Sequence, residues 1–322
     1  MKSVGFLGLV ALAAAYSVSQ DDAAAAAAPR IAGGHQAAAT ELRSTAYLRI
    51  TRPMLGNLWC TANLIAPNVL LTVGGCAAKN ATASYPASDV LVSFDRTALN
   101  GAKDIANGLP VSKILIHPED SSKNSPVSGI ALITLSKPVP ESTATPIKIG
   151  RGRPRAGTEA RAAGFGATAG AGSYDETSFT QLTVADMKIG ADAACAKEMA
   201  GYDPKTQLCA AGAAGAAACA GDTAGPLVVS GPDGKTDVLV GMSTYSFAKD
   251  LKVCGAAGSM SYYVHVAPYL DWIAKNAALD VADIAPGGTT DGSSETSAAA
   301  GMAVRLGAAG ATAAAIASLL LF

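Results

Sequence analysis

The stretch Cys219-Ala220-Gly221-Asp222-Thr223-Ala224-Gly225-Pro226 sets a carboxylate and a hydroxyl side by side between glycines. Glycine and proline punctuate turns, so Thr223 belongs on a loop, next to Asp222. Two other stretches are built from similarly small residues, Leu71-Thr72-Val73-Gly74-Gly75-Cys76 and Ser128-Gly129-Ile130-Ala131-Leu132, the second running on into Ile133-Thr134-Leu135. Around them lie short apolar or alternating runs rich in β-branched residues: Tyr47 to Thr51, Asn57 to Ile65, Val69 to Val73, Asp89 to Phe94, Val111 to Ile116 and Ile130 to Leu135. This pattern predicts strands. The one convincing helix of the body starts at Pro268 and carries Leu270, Trp272-Ile273 and Ala277 at helical spacing. The expectation is an all-β body closed by a helix.

The three small-residue stretches, in this order, resemble the conserved blocks of trypsin-like serine proteases. In that family the nucleophile loop reads Gly-Asp-Ser-Gly-Gly-Pro, which Gly221, Asp222, Gly225 and Pro226 match while Thr223 and Ala224 depart from it. Ile31-Ala32-Gly33-Gly34, Gly164-Phe165-Gly166, Val240 to Tyr245 and Tyr262 to Val266 extend the resemblance from about Ile31 to about Leu279. It implies two packed antiparallel six-stranded β-barrels and a C-terminal helix, with the crossing near Pro138 to Gly157 and the site between the barrels. Six cysteines allow 15 pairings. The resemblance selects Cys60 with Cys76, Cys195 with Cys209, and Cys219 with Cys254.

Carried over residue by residue, the triad positions are Gly75 for the histidine, Gly129 for the aspartate and Thr223 for the serine. Serine-type acyl transfer needs a hydroxyl beside a base, a carboxylate that orients the base, and amide donors for the oxyanion. Glycine supplies neither base nor carboxylate, so no catalytic residue is expected, although Gly221 stays in the oxyanion loop. The three histidines, His35, His117 and His265, all fall elsewhere in the pattern. The specificity pocket maps to Ala217, with Ser246 and Ser261 where the family often has glycine. No carboxylate waits there for a basic side chain, and small groups offer few polar contacts to a ligand.

Met1 to about Ser19, with Lys2 and an apolar run from Val4 to Ala15, predicts a secretory signal. Residues 20–30 resemble a propeptide ending at Arg30. Cleavage there would free the Ile31 amine to pair with Asp222, which otherwise stays as fold architecture. The trypsin-like domain is expected over 31–279 and a polar, flexible stalk over 280–300. Residues 301–322 end in sixteen mostly apolar residues from Gly307 to Phe322, short of the ~20 that span a bilayer. Small residues, a spacer and an apolar tail match a glycosylphosphatidylinositol attachment signal; a tail anchor and a low-complexity terminus are the alternatives. The sequon at Asn80 is a glycosylation candidate in a secreted chain.

Lys plus Arg total 24 against 25 for Asp plus Glu, a net charge of −1, which gives nucleic acid no basic excess to bind. The cluster Arg151-Gly152-Arg153-Pro154-Arg155 is expected as a solvated loop between the barrels rather than an anion site. No metal-ligand spacing and no nucleotide loop occur, so no cofactor and no metal are expected. The reading is a secreted, surface-attached, non-catalytic protease homologue that binds a protein partner, such as an extracellular hydrolase. Among inactive relatives it is most similar to the glucanase-inhibitor proteins of oomycetes. A serine-type endopeptidase and a structural coat protein are the alternatives.

Overall fold

The computed structural model describes residues 31, 33–80, 83–94, 108–118, 129–166, 181–219, 221–247, 258–285 and 287. The first half contains β1 (His35–Gln36), β2 (Thr45–Arg52), β3 (Gly56–Ala66), β4 (Val69–Val73), β5 (Ala78–Asn80), β6 (Ala83–Ser84), β7 (Val90–Ser93), β8 (Leu109–Ile116) and β9 (Ile130–Leu135). The second half contains β10 (Lys148–Ile149), β11 (Glu159–Gly164), β12 (Thr183–Ile189), α1 (Asp192–Glu198), β13 (Gln207–Gly212), β14 (Pro226–Ser230), β15 (Asp237–Phe247), β16 (Met260–His265), α2 (Leu270–Ala277) and α3 (Val281–Ile284).

Strands β2, β3, β4, β9, β8 and β7 close into an antiparallel barrel, β7 returning to β2 with Leu48 opposite Val92. A second six-membered ring runs β11, β12, β13, β16, β15, β14 and back to β11. The strand runs gave the all-β body and terminal helix, and the two barrels are the architecture the resemblance implied. Val69–Val73 is buried at every position, which is why that strand reads as an apolar run broken only by Thr72, whose hydroxyl donates to the Thr61 carbonyl at 2.9 Å. In β12, by contrast, Asp186 and Lys188 face solvent between buried Ala185, Met187 and Ile189, the period-2 alternation of a half-exposed strand.

One apolar cluster fills the first barrel and continues through Phe165, Val228, Met242 and Val264 to Ile273 of α2. Another fills the second barrel around Ala162, Met187, Leu208, Leu227 and Tyr263. Disulfides join Cys60 to Cys76 and Cys195 to Cys209, with Cα separations of 6.1 and 5.9 Å. Cys254, the expected partner of Cys219, lies outside the described residues.

Three features depart from the sequence expectation. The body has a second helix, α1, whose Cys195 is buried and bonded to Cys209 of β13. The residues assigned to the stalk from 280 onward begin in folded structure. Asp280 caps α3 by accepting the Ala282 amide at 2.8 Å, and Ile284 and Ala285 are buried. Two of the three cluster arginines bond within the fold, while Arg155 is exposed as expected. The Arg151 Nε donates to the Ala285 carbonyl at 2.8 Å, and Arg153 donates to the Gln207 carbonyl and pairs with Asp192 beside Tyr202. Burial first, and then the Asp192 hydrogen bond, push the Tyr202 phenol above its ordinary pKa.

Candidate functional site

Strand β4 ends at Val73, a 3-10 turn Gly74–Cys76 follows, and the register sets Val73 opposite Ile130 at the start of β9. Gly74 therefore faces Gly129, and its amide donates to the Gly129 carbonyl at 3.1 Å. The segments carrying Gly75 and Gly129 are thus neighbours. Gly129 is buried, with a φ of 124°, backbone that a residue with a side chain enters only under strain. No imidazole or carboxylate can come from either position.

The third segment reaches the same end of the barrel through β3. The Cys60–Cys76 disulfide ties β3 to the turn carrying Gly75, and the next residue, Thr61, donates its amide to the Thr223 carbonyl at 2.8 Å. Two residues on, buried Asn63 donates its Nδ2 to the Ala224 carbonyl at 3.0 Å. From the other barrel, β15 grips the loop with two bonds: the Ala224 amide donates to Ser243 at 2.7 Å, and the Ser243 amide donates to Gly225 at 2.8 Å. Thr223 is half-buried at this junction. The loop conformation is demanding, with φ of 93° at Gly221 and 66° at Ala224. Gly225 is equally constrained, because a Cβ there would lie 2.2 Å from the Ala163 carbonyl oxygen.

Asp222 is fully buried and supports the loop from behind. Its Oδ1 accepts the Gly166 amide and its Oδ2 accepts the Cys219 amide, both at 2.7 Å. Ile31, fully buried as well, packs in the second-barrel cluster with Ala160, Met187 and Ala216. Ala217 is sealed from solvent between nearly buried Ala216 and Ala218. Ala216 packs so closely on Gly212 that a Cβ at 212 would approach it to 2.3 Å. Small residues in this run serve close packing. Ser261 is buried, and its hydroxyl accepts the Ala218 amide at 2.9 Å. Burial raises the neighbouring Tyr263 phenol above its ordinary pKa. The Ser246 side chain lies outside the described residues.

The histidines are engaged elsewhere. His35 is exposed, 3.6 Å from Glu41. His117 lies edge-on to Tyr269 and Trp272, with ring centroids 5.0 and 4.8 Å apart. His265 is buried on β16, its Nε2 3.4 Å from the Gly152 carbonyl oxygen. Asn80 is exposed on β5 and its Oδ1 accepts the Ala83 amide at 2.9 Å. A surface cavity of about 220 Å³ lies over Glu159, Arg161, Asp186 and Asp237 of the second barrel. Its guanidinium is spent on Asp237 and Glu41. Burial opposes the charge of Arg161, and those two carboxylates outweigh it, so its pKa is raised. Among the described residues no group of His, Cys, Asp and Glu could hold a metal ion, and no helix is long and apolar enough to cross a membrane.

Sequence reasoning missed Asn63, an amide next to the apolar Ala62, Leu64 and Ile65, and the reason for Gly164, where a Cβ would lie 2.0 Å from Asp222 Oδ1.

The family model described as Trypsin matches residues 31–273. The chain is 31% identical to glucanase inhibitor protein 3 of Phytophthora sojae, over 76% of this chain and 87% of that protein. It is 29% identical to CLIP domain-containing serine protease B4 of Anopheles gambiae, over 77% of this chain and 70% of that one. It is also 29% identical to trypsin alpha of Drosophila melanogaster, over 77% and 88%. Among solved structures it is similar to neuropsin, a serine protease expressed in the limbic system of mouse brain, with a TM-score of 0.60 over 77% of this chain and all of that one. At 21% identity that likeness speaks for the fold alone.

Proposed function

The chain belongs to the trypsin family, and on that footing we propose that it is a non-catalytic member that acts by binding and restraining an extracellular hydrolase, such as a glucanase. The observation that carries this reading is Gly129. Its φ of 124° disfavours any carboxylate-bearing residue at the place where the family orients its base, and Gly75 next to it leaves the base itself missing. Thr223 keeps a hydroxyl, but a hydroxyl without a base is a poor nucleophile. Loops held on a rigid double barrel suit partner recognition. The similarity to glucanase inhibitor protein 3 supports the choice of partner. Oxyanion-loop Gly221, the Ile31–Asp222 pair, the Ala217 pocket with Ser246 and Ser261, and the Cys219–Cys254 disulfide are parts of the same proposal. So are secretion from a signal in 1–19, cleavage after Arg30, glycosylation at Asn80, and lipid attachment through the C-terminal segment.

A serine-type endopeptidase is the second reading, favoured by one observation: the support behind the nucleophile loop, Asp222 with the Gly166 and Cys219 amides, is intact. The two readings separate in one experiment on cleaved, disulfide-bonded protein. A fluorophosphonate probe should leave Thr223 unmodified while purified endo-glucanase is bound and slowed. Stoichiometric labelling of Thr223 establishes the peptidase instead. Release from cells by phosphatidylinositol-specific phospholipase C tests the lipid anchor, and retention after treatment removes it.

A further inference from the structure

Strand β3 carries two buried polar side chains on one face, Thr61 and Asn63, two residues apart. The register sets Thr45 of β2 opposite Asn63 and Tyr47 opposite Thr61. That face looks onto the loop bearing Thr223: the Asn63 Nδ2 donates to the Ala224 carbonyl at 3.0 Å, and the Tyr47 ring meets Phe165 edge-on with centroids 5.4 Å apart. Thr45, Thr61 and Asn63 are all fully buried. Yet the Thr45 Oγ1, the Thr61 Oγ1 and the Asn63 Oδ1 meet no hydrogen-bonding group among the described residues. The amide cannot be turned over to relieve this, because only its NH2 can donate to the Ala224 carbonyl.

Buried polar groups are bonded in the great majority of cases, and one left unpaired costs its full desolvation. Three of them on one face describe a site, and their spacing suits a single small bridging molecule. The Leu64 amide donates to the Ser44 carbonyl at 2.8 Å, so Thr45 and Asn63 form a non-hydrogen-bonded pair, the kind whose side chains come closest, with Cβ atoms about 4.5–5.5 Å apart. A molecule between them makes two bonds of about 2.8 Å, and Thr61 supplies a third partner from the same face. Two hydroxyls and an amide oxygen are a neutral set that both donates and accepts. An ion enclosed there would lack a counter-charge. Water needs about two to four polar partners, and three converge here.

We infer that one water molecule is bound at the barrel junction, donating to the Asn63 Oδ1 and bonded to the Thr45 and Thr61 hydroxyls. With Oδ1 held in this way, Nδ2 stays aimed at the Ala224 carbonyl, so Asn63 is a positioning residue for the loop that displays Thr223. The inference is independent of whether the chain restrains a hydrolase or is one. The test uses the full mature chain with its disulfides intact. A high-resolution crystal structure should show one solvent peak about 2.7–3.2 Å from all three oxygens. Thr45→Val and Thr61→Val keep the side-chain shape and remove the hydroxyl. Each should lower the equilibrium constant of folding roughly fivefold, the size of one ordinary hydrogen bond, read as a lower urea midpoint. A dry hydroxyl gives the opposite sign, because deleting an unsatisfied group raises the midpoint. In the double variant, oxygen-17 relaxation dispersion should count one long-lived internal water fewer, and the Asn63 side-chain amide should lose its protection from hydrogen exchange. Midpoints that stay level or rise, an unchanged water count, or no solvent peak overturns the inference. Contacts of about 2.3–2.6 Å, with a midpoint raised by added calcium, mark a cation and overturn the water. Lost water with Asn63 protection unchanged overturns its positioning role.

Discussion

Gly164→Ala should unfold the site's support from behind, in a residue that touches no ligand. The added methyl would sit 2.0 Å from Asp222 Oδ1, 2.7 Å from its Cγ and 2.9 Å from its Cβ, so the buried carboxylate must move. Moving it breaks the bonds from the Gly166 and Cys219 amides. Hydrogen bonds to a charged group contribute about 1.5–3 kcal/mol each, so the two together amount to about 3–6 kcal/mol. Against a total stability of about 5–15 kcal/mol, that is a large fraction. A body of this size loses about 2–4 °C of Tm per kcal/mol, which places the fall on the order of 10 °C. Urea and thermal unfolding with the disulfides intact provide the assay. Gly157→Ala is the control: its φ is +84° and nothing lies within 4 Å of the new Cβ, so it should cost only the ~1–2 kcal/mol of backbone strain. In an Asp222→Ala background the Gly164→Ala penalty should shrink, the non-additivity expected of residues in contact. If Gly164→Ala costs no more than Gly157→Ala, Asp222 is not held as described.

The Cys60→Ser, Cys76→Ser double variant, which opens a loop with a sequence separation of 16, should lose about 3 kcal/mol in the chain-entropy account, read as a lower urea midpoint. Thr223→Ser should remain unreactive to fluorophosphonate, since the new hydroxyl still lacks a base; rapid labelling of Ser at 223 would reveal an activator. Gly129→Asp should destabilise the chain by about 1–2 kcal/mol because of its φ, and an unchanged or higher midpoint would refute the strain. Asp233 is held at a pKa of about 2, first by the Thr236 hydroxyl and then by the Thr236 and Lys235 amides. Its contribution is therefore complete above the ordinary carboxylate value and is lost as pH falls from about 4 towards 2. A carboxyl NMR titration with a midpoint near 4 would contradict that turn.

What the sequence made legible was whatever repeats locally. Apolar runs broken only by Thr72 and Thr134 located β4 and β9 to the residue, because strands buried on both faces carry few polar side chains to blur them. The three small-residue stretches were legible as one constellation, and the register of β4 against β9 brings the first two together. Features whose cause lies far along the chain were not legible. Helix α1 carries alanines and a cysteine with no apolar stripe, and its position comes from the bond to Cys209. Helix α3 follows a stretch already turning polar, and it is fixed by Arg151 from well over a hundred residues away. The fit of Gly164 against Asp222 is a property of the end of β11 meeting the loop before β14, which no window of sequence contains.

The loop bearing Thr223 is fixed by main-chain bonds to Thr61 and Ser243 and by the side chains of Asn63 and Asp222, all of which any side chain at 223 would leave untouched. Geometry and chemistry are therefore separable at this position: a serine, a threonine or an alanine at 223 would be displayed by the same loop.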